Sequence, residues 1–241
     1  MAVAGAALAT VLVAAMVGLQ PVLGRRRYRR LVEALPRDPD ARGRHYRRGI
    51  IGEWTAVAVV VAIGALSGRG ASSIGLPGRD VGAATGEVAG AAVVLAASAV
   101  LFRAESLRAV LRRQARGFVA LLPRTGEERL LFVALAVTAG ICEEVLFRGF
   151  GIAYVRWLWP DATHTWLIVV TSLAFGVAHL YQGPRGVALT AVIGAVFASL
   201  TLSTGSLIPA MVLHALVDLR ILALPDLGSE AGPVPPPGGP V

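Results

Sequence analysis

Apolar stretches long enough to cross a bilayer recur along this 241-residue chain, and they leave it few folds. A helix needs about 20 mostly apolar residues to span the hydrocarbon layer. Segments 1–23, 50–67, 84–102, 129–150, 163–182, 186–204 and 206–224 approach that length. Ala56 to Ser67 carries no charge, and Val81 to Phe102 carries only Glu87. The composition agrees: 55% of residues are hydrophobic and the mean hydropathy is +0.67, against about 45–50% apolar in soluble domains. Aromatics make up only 6%, so Ala, Val, Leu and Gly supply the apolar mass. Small residues let helices approach closely. The expected fold is an all-α, polytopic membrane helix bundle with about seven transmembrane helices.

All 23 basic residues are arginine, which resembles a GC-rich bacterial coding bias. The net charge of +8 and pI near 11.1 raise nucleic-acid binding as one reading. Their placement argues instead for topology. Segments 25–49 and 103–128 hold ten and six arginines, while 68–83 and 151–162 hold two and one. Arginine-rich loops stay cytoplasmic, so the partner is a lipid bilayer and not a nucleic acid. The apolar run 1–23 has no basic side chain before it, unlike a signal peptide. It reads as an uncleaved anchor. The expectation is a multi-pass protein of the cell (plasma) membrane, N-terminus outside and C-terminus cytoplasmic. Cys142, the single cysteine, rules out an intramolecular disulfide and an all-cysteine metal site.

Four regions follow. Residues 1–24 form a transmembrane anchor helix. Residues 25–128 hold arginine-rich cytoplasmic loops, two transmembrane helices and an amphipathic interfacial helix. In that last element Leu107, Val110, Leu111, Phe118, Leu121 and Leu122 interleave with Arg108, Arg112, Arg113 and Arg116. Pro123 should end it, and Thr125 with Glu128 matches a capping box. Residues 129–224 hold the chemistry. Residues 225–241, rich in Pro and Gly, should be disordered.

The chemistry lies in three spaced sets: Glu143-Glu144 with Arg148, Phe175 with His179, and His214 with Asp218. An acidic side chain at a helix centre costs about +2.5 to +3.5 kcal/mol, so ionisable groups there mark function by default. Glu144 and Arg148 share a helix face four residues apart and should form a supporting ion pair. Glu143 is rotated about 100° from Glu144, which frees it to face the bundle interior. A desolvated carboxylate there suits general-base work. Spacing alone does not show that the three sets converge. His45 and His164 sit in polar surroundings and read as solvated.

In order, Glu-Glu-x-x-x-Arg (143–148), Phe-x-x-x-His (175–179) and His-x-x-x-Asp (214–218) resemble the CPBP family of intramembrane proteases, the Abi or type II CAAX prenyl endopeptidase-like family. The resemblance covers about 130–222. It implies that Glu143 and His179 hold and activate a water that attacks a peptide carbonyl of a membrane-associated protein or peptide. His214 and Asp218 would position the site or stabilise the oxyanion. Eukaryotic CAAX endopeptidases typically carry Asn where this chain has Asp218, which here would orient His214 as carboxylates orient metal-bound histidines. The cofactor stays open between none and zinc, with Glu143, His179 and His214 as candidate ligands.

Other readings exist for the same residues. A Gly-x-Ser-x-Gly elbow is absent, and Ser172, Ser199 and Ser206 lack a histidine one turn away. The fold could act by binding alone, as a membrane scaffold or bacteriocin-immunity-type protein. A transporter would use the same groups as a proton relay, but the paired inverted hydropathy pattern expected of one is not found.

Overall fold

The computed structural model describes residues 3–66 and 116–223. Every regular element among them is helical. Helix α1 (Val3–Ala14) passes through a π turn (Ala15–Leu19) into α2 (Gln20–Ala34) without leaving helical backbone angles. Pro21 has no N–H and its ring crowds the carbonyl four residues back, which fits a distorted turn just before it. Helix α3 runs Ala41–Leu66. After a 3₁₀ turn (Arg116–Leu121), α4 (Gly126–Glu144) continues through a second π turn (Val145–Gly151) into α5 (Ile152–Leu158). Helix α6 (His164–Ala178), a 3₁₀ turn (Leu180–Gln182), α7 (Gly183–Thr204) and α8 (Ile208–Leu219) complete the described fold.

Four helices are long and apolar enough to cross a membrane: Gly5–Ala34, Ala41–Leu66, Gly126–Leu158 and Leu180–Thr204. The expected count of about seven is not reached among the described residues. The 84–102 span, most of the interfacial helix and the 225–241 tail lie outside them. The 163–182 and 206–224 spans are shorter helices than their apolar runs allow. Conversely, the first span does not stop at residue 23 but carries its helix on through the arginines to Ala34. Large apolar side chains such as Val11, Ile51, Leu66, Leu130 and Val192 are exposed. Apolar surface on this scale suits contact with lipid rather than water.

Helices α3 and α4 run parallel. A Cβ on Gly43 would meet Leu131 at 3.5 Å and one on Gly49 would meet Leu135 at 3.1 Å, while Tyr46 packs edge-on to Phe132. Their arginine-rich ends are clamped together. Arg42 pairs with Glu128 at 2.8 Å and donates to the Ala120 carbonyl at 2.9 Å, with both charged side chains buried. Tyr46 donates to the Leu121 carbonyl at 2.6 Å. The expected capping box is present: the Glu128 amide donates to Thr125, and the Glu128 carboxylate accepts from the Thr125 amide. Such a cap is worth about 1 kcal/mol.

Helices α4 and α6 run antiparallel, with Gly151 near Thr171 and Phe147 packed edge-on to Phe175. The amino-terminal helices share this core: Ala9, Val60 and Ile63 pack with Leu146, Phe147, Phe150 and Phe175. The site is therefore walled by α3 as well as by the later helices.

Candidate active site

The π turn that opens at Val145 starts directly after the two carboxylates and carries Arg148. Glu144 and Arg148 pair at 3.0 Å with both side chains fully buried. Arg148 also donates to the Gly194 carbonyl at 3.0 Å and lies 4.2 Å over the Phe175 ring. A buried charge persists only when paired and hydrogen-bonded, and this guanidinium has a carboxylate, a carbonyl and an aromatic face.

Two close helix approaches bring the histidines in. A Cβ on Gly140 would lie 2.8 Å from the Ala215 amide nitrogen and 2.9 Å from the Met211 carbonyl oxygen, so only glycine lets α8 lie this close to α4. A Cβ on Gly176 would sit 2.7 Å from the Val187 carbonyl oxygen, which likewise ties α6 to α7. Helix α6 has 15 residues, about 22 Å of rise, shorter than the ~30 Å hydrocarbon layer. His179, at its C-cap, comes level with Glu143.

The geometry at that level is compact. His179 Nε2 and His214 Nε2 each lie 3.8 Å from Glu143 Oε2. His179 Nδ1 is 2.9 Å from the Phe175 carbonyl oxygen. A carbonyl only accepts, so Nδ1 carries the hydrogen and Nε2 of the neutral ring faces Glu143 with a lone pair. His214 Nδ1 lies 2.8 Å from Glu144 Oε1. That fixes the second ring in the same sense. Phe197 stacks on His214 with centroids 4.8 Å apart, and Phe175 stands edge-on to it at 5.6 Å. Asp218 Oδ2 is 3.8 Å from His214 Nε2. The carboxylate that bonds His214 is thus Glu144 rather than Asp218.

All four residues expected in the site, Glu143, His179, His214 and Asp218, line one cavity of about 170 Å³. Glu144 and Arg148 lie behind it. The motifs did not point to Glu53 on α3, which lines the same cavity and whose Oε2 is buried without a hydrogen bond. The signal was available, since Glu53 is a carboxylate inside an apolar span. Tyr181 and Gln182 also line the cavity, and Gln182 donates to the Tyr181 hydroxyl at 3.2 Å. Cys142 is a buried free thiol.

Glu143, His179 and His214 do not, as arranged, make a metal site. Bonds of about 2.0–2.1 Å to a tetrahedral zinc ion leave about 3.4 Å between ligand atoms. The 3.8 Å separations are wider. Among the described residues no group of three or more His, Cys, Asp or Glu side chains is arranged to hold a metal ion.

Fold and site together define a helical, multi-pass membrane protein with a buried carboxylate–imidazole centre. Residues 125–220 match the family model for type II CAAX prenyl endopeptidase Rce1-like proteins, a family of proteases. The match takes in all three motifs and under half of the chain. It agrees with the resemblance read from the sequence. No curated protein and no solved structure matches the chain.

Proposed function

We propose that this protein is an intramembrane endopeptidase of the cell membrane that hydrolyses a peptide bond of a membrane-associated protein or peptide, with Glu143 as general base. The observation that carries this reading is the pair of 3.8 Å separations from Glu143 Oε2 to the two imidazole Nε2 atoms. Such separations are too long for direct hydrogen bonds and suit one shared water.

A count of hydrogens assigns the roles. A water has two hydrogens, and with both rings neutral it meets three acceptors; a proton on one of the three lets every contact be a hydrogen bond. With His214 as imidazolium, the water donates to Glu143 and His179 and accepts from His214 Nε2–H. Glu143 then takes a proton as the water oxygen bonds to the substrate carbonyl carbon. The tetrahedral oxyanion accepts from His214, whose ring Glu144 holds in place. The Glu143 proton passes to the leaving nitrogen, the C–N bond breaks, and an amine and a carboxylic acid form; the acid gives its proton, the water's second hydrogen, to His179, which returns it to solvent. A general base of this kind contributes about 10²–10⁴-fold, and an oxyanion donor about 10²–10³-fold.

The test compares amino-terminal peptides of membrane proteins from cells carrying wild type or Glu143→Ala at equal expression. Termini found only with wild type support the reading and name the substrate. Identical termini, with the variant still rescuing a deletion defect, would move the function to a non-proteolytic scaffold of the same fold.

A further inference from the structure

We propose that Arg25, Arg26 and Arg30, on the outward face of α2, form a binding site for the phosphate of anionic phospholipids in the adjoining leaflet. The site needs no catalysis and stands apart from the hydrolase reading. It follows from the spacing along α2. Pro21, Gly24, Tyr28 and Leu31 recur at intervals of three and four, so they share one face. That face is taken up by the bundle. Pro21 and Leu31 are buried, and Leu31 forms a cluster with Ala41 and Ala120 against which Tyr28 packs. Tyr28 also meets Tyr181 with ring centroids 5.7 Å apart, and a Cβ on Gly24 would lie 4.0 Å from the same ring. At about 100° per residue, Arg25, Arg26, Arg29 and Arg30 fall on the opposite arc. All four are exposed.

Their partners single out three of them. Arg29 reaches Glu33 one turn on, at 3.7 Å. On the neighbouring α3, Arg42 is answered by Glu128, Arg44 by Asp38 and Arg47 by Glu127. Among the described residues Arg25, Arg26 and Arg30 have no carboxylate partner, nor has Arg27 at the edge of the arc. The level of the arc names what answers them. The helical run carries no charge from Val3 to Gly24, and the arginines begin at the next residue. A guanidinium that closes an apolar span reaches the headgroups rather than the acyl chains. Basic clusters just outside a membrane helix attract anionic headgroups, and the guanidinium fork suits phosphate through paired hydrogen bonds. A topology signal needs only the charges, and a flexible loop supplies them equally well. Here the helix continues unbroken to Ala34 and fixes the three arginines on one arc, which is what a headgroup site requires.

The test is native mass spectrometry and thermal unfolding of the full-length protein in neutral detergent, titrated with phosphatidylglycerol. Wild type should retain this lipid and unfold at a higher temperature with it. Phosphatidylcholine and inorganic phosphate at equal concentration should do neither. Arg26→Gln and Arg30→Gln should each weaken phosphatidylglycerol binding about fivefold, and the double variant about 25-fold. A control with Arg44→Gln and Arg47→Gln loses the same two charges and should bind as wild type does. Equal weakening in the two double variants would overturn the site in favour of general attraction by net charge. Equal stabilisation of wild type by phosphatidylcholine, by inorganic phosphate or by a DNA oligonucleotide would overturn it as well. If the Arg26/Arg30 double variant does not fold, the single variants decide: wild-type affinity in both contradicts the site.

Discussion

Glu144 Oε1 accepts from Arg148 at 3.0 Å and from His214 at 2.8 Å, so one buried oxygen joins the structural ion pair to the imidazole that faces the cavity. The two adjacent carboxylates thereby divide the work. Glu144 orients, and Glu143 is left to face His179 and His214.

Glu144→Gln should both destabilise the protein and slow cleavage. Breaking a fully buried ion pair costs about 3–5 kcal/mol because the partner charge is stranded. Thermal unfolding in detergent should show the loss. Arg148→Gln should cost a similar amount, and the double variant should be more stable than the sum of the two. Strict additivity would show that the pair is not coupled.

Gly140→Val should cripple the proposed cleavage by displacing α8. The first added carbon already falls 2.8 Å from a backbone nitrogen, and overpacking of this kind typically costs about 1–3 kcal/mol. Cleavage should fall more than stability, since His214 moves with its helix. Unchanged activity would mean that the Glu144–His214 contact is not needed.

Asp218→Asn should be mild. The Asp218 side chain is 37% exposed and 3.8 Å from His214 Nε2, beyond hydrogen-bond reach. Cleavage should stay within about tenfold of wild type, far from the loss expected on removing a general base. A loss as large as that of a Glu143 variant would give Asp218 a share of the proton transfer.

Chelation should leave cleavage intact. Incubation with a strong zinc chelator, followed by assay and metal analysis, should show activity without stoichiometric metal. Loss of activity restored by zinc would mean that Glu143, His179 and His214 close around an ion.

Much of this site was legible because its signals are local. The i,i+4 spacing of Glu144 and Arg148 gives their pair, and Thr125 with Glu128 gives the start of α4. That the three motifs share one centre was implied only by the family resemblance, not by their spacing. The long-range contacts were not legible. Nothing in the spacing of His214 and Asp218 says that the ring bonds Glu144, 70 positions earlier. Nor does the apolar run 163–182 say that its helix stops at Ala178, which leaves His179 at a C-cap beside Glu143. Glu53 was passed over at the edge of an apolar span with no motif around it, and only the parallel packing of α3 on α4 brings it to the cavity.

The most direct measurement is the single-turnover cleavage rate of Glu143→Gln against wild type, in vesicles, on the substrate named by the terminus comparison. Glutamine keeps the shape and cannot take the proton. The account predicts a fall of about 10²–10⁴-fold, with unfolding temperature and substrate affinity near wild type. A folded Glu143→Gln protein that cleaves at the wild-type rate would contradict it.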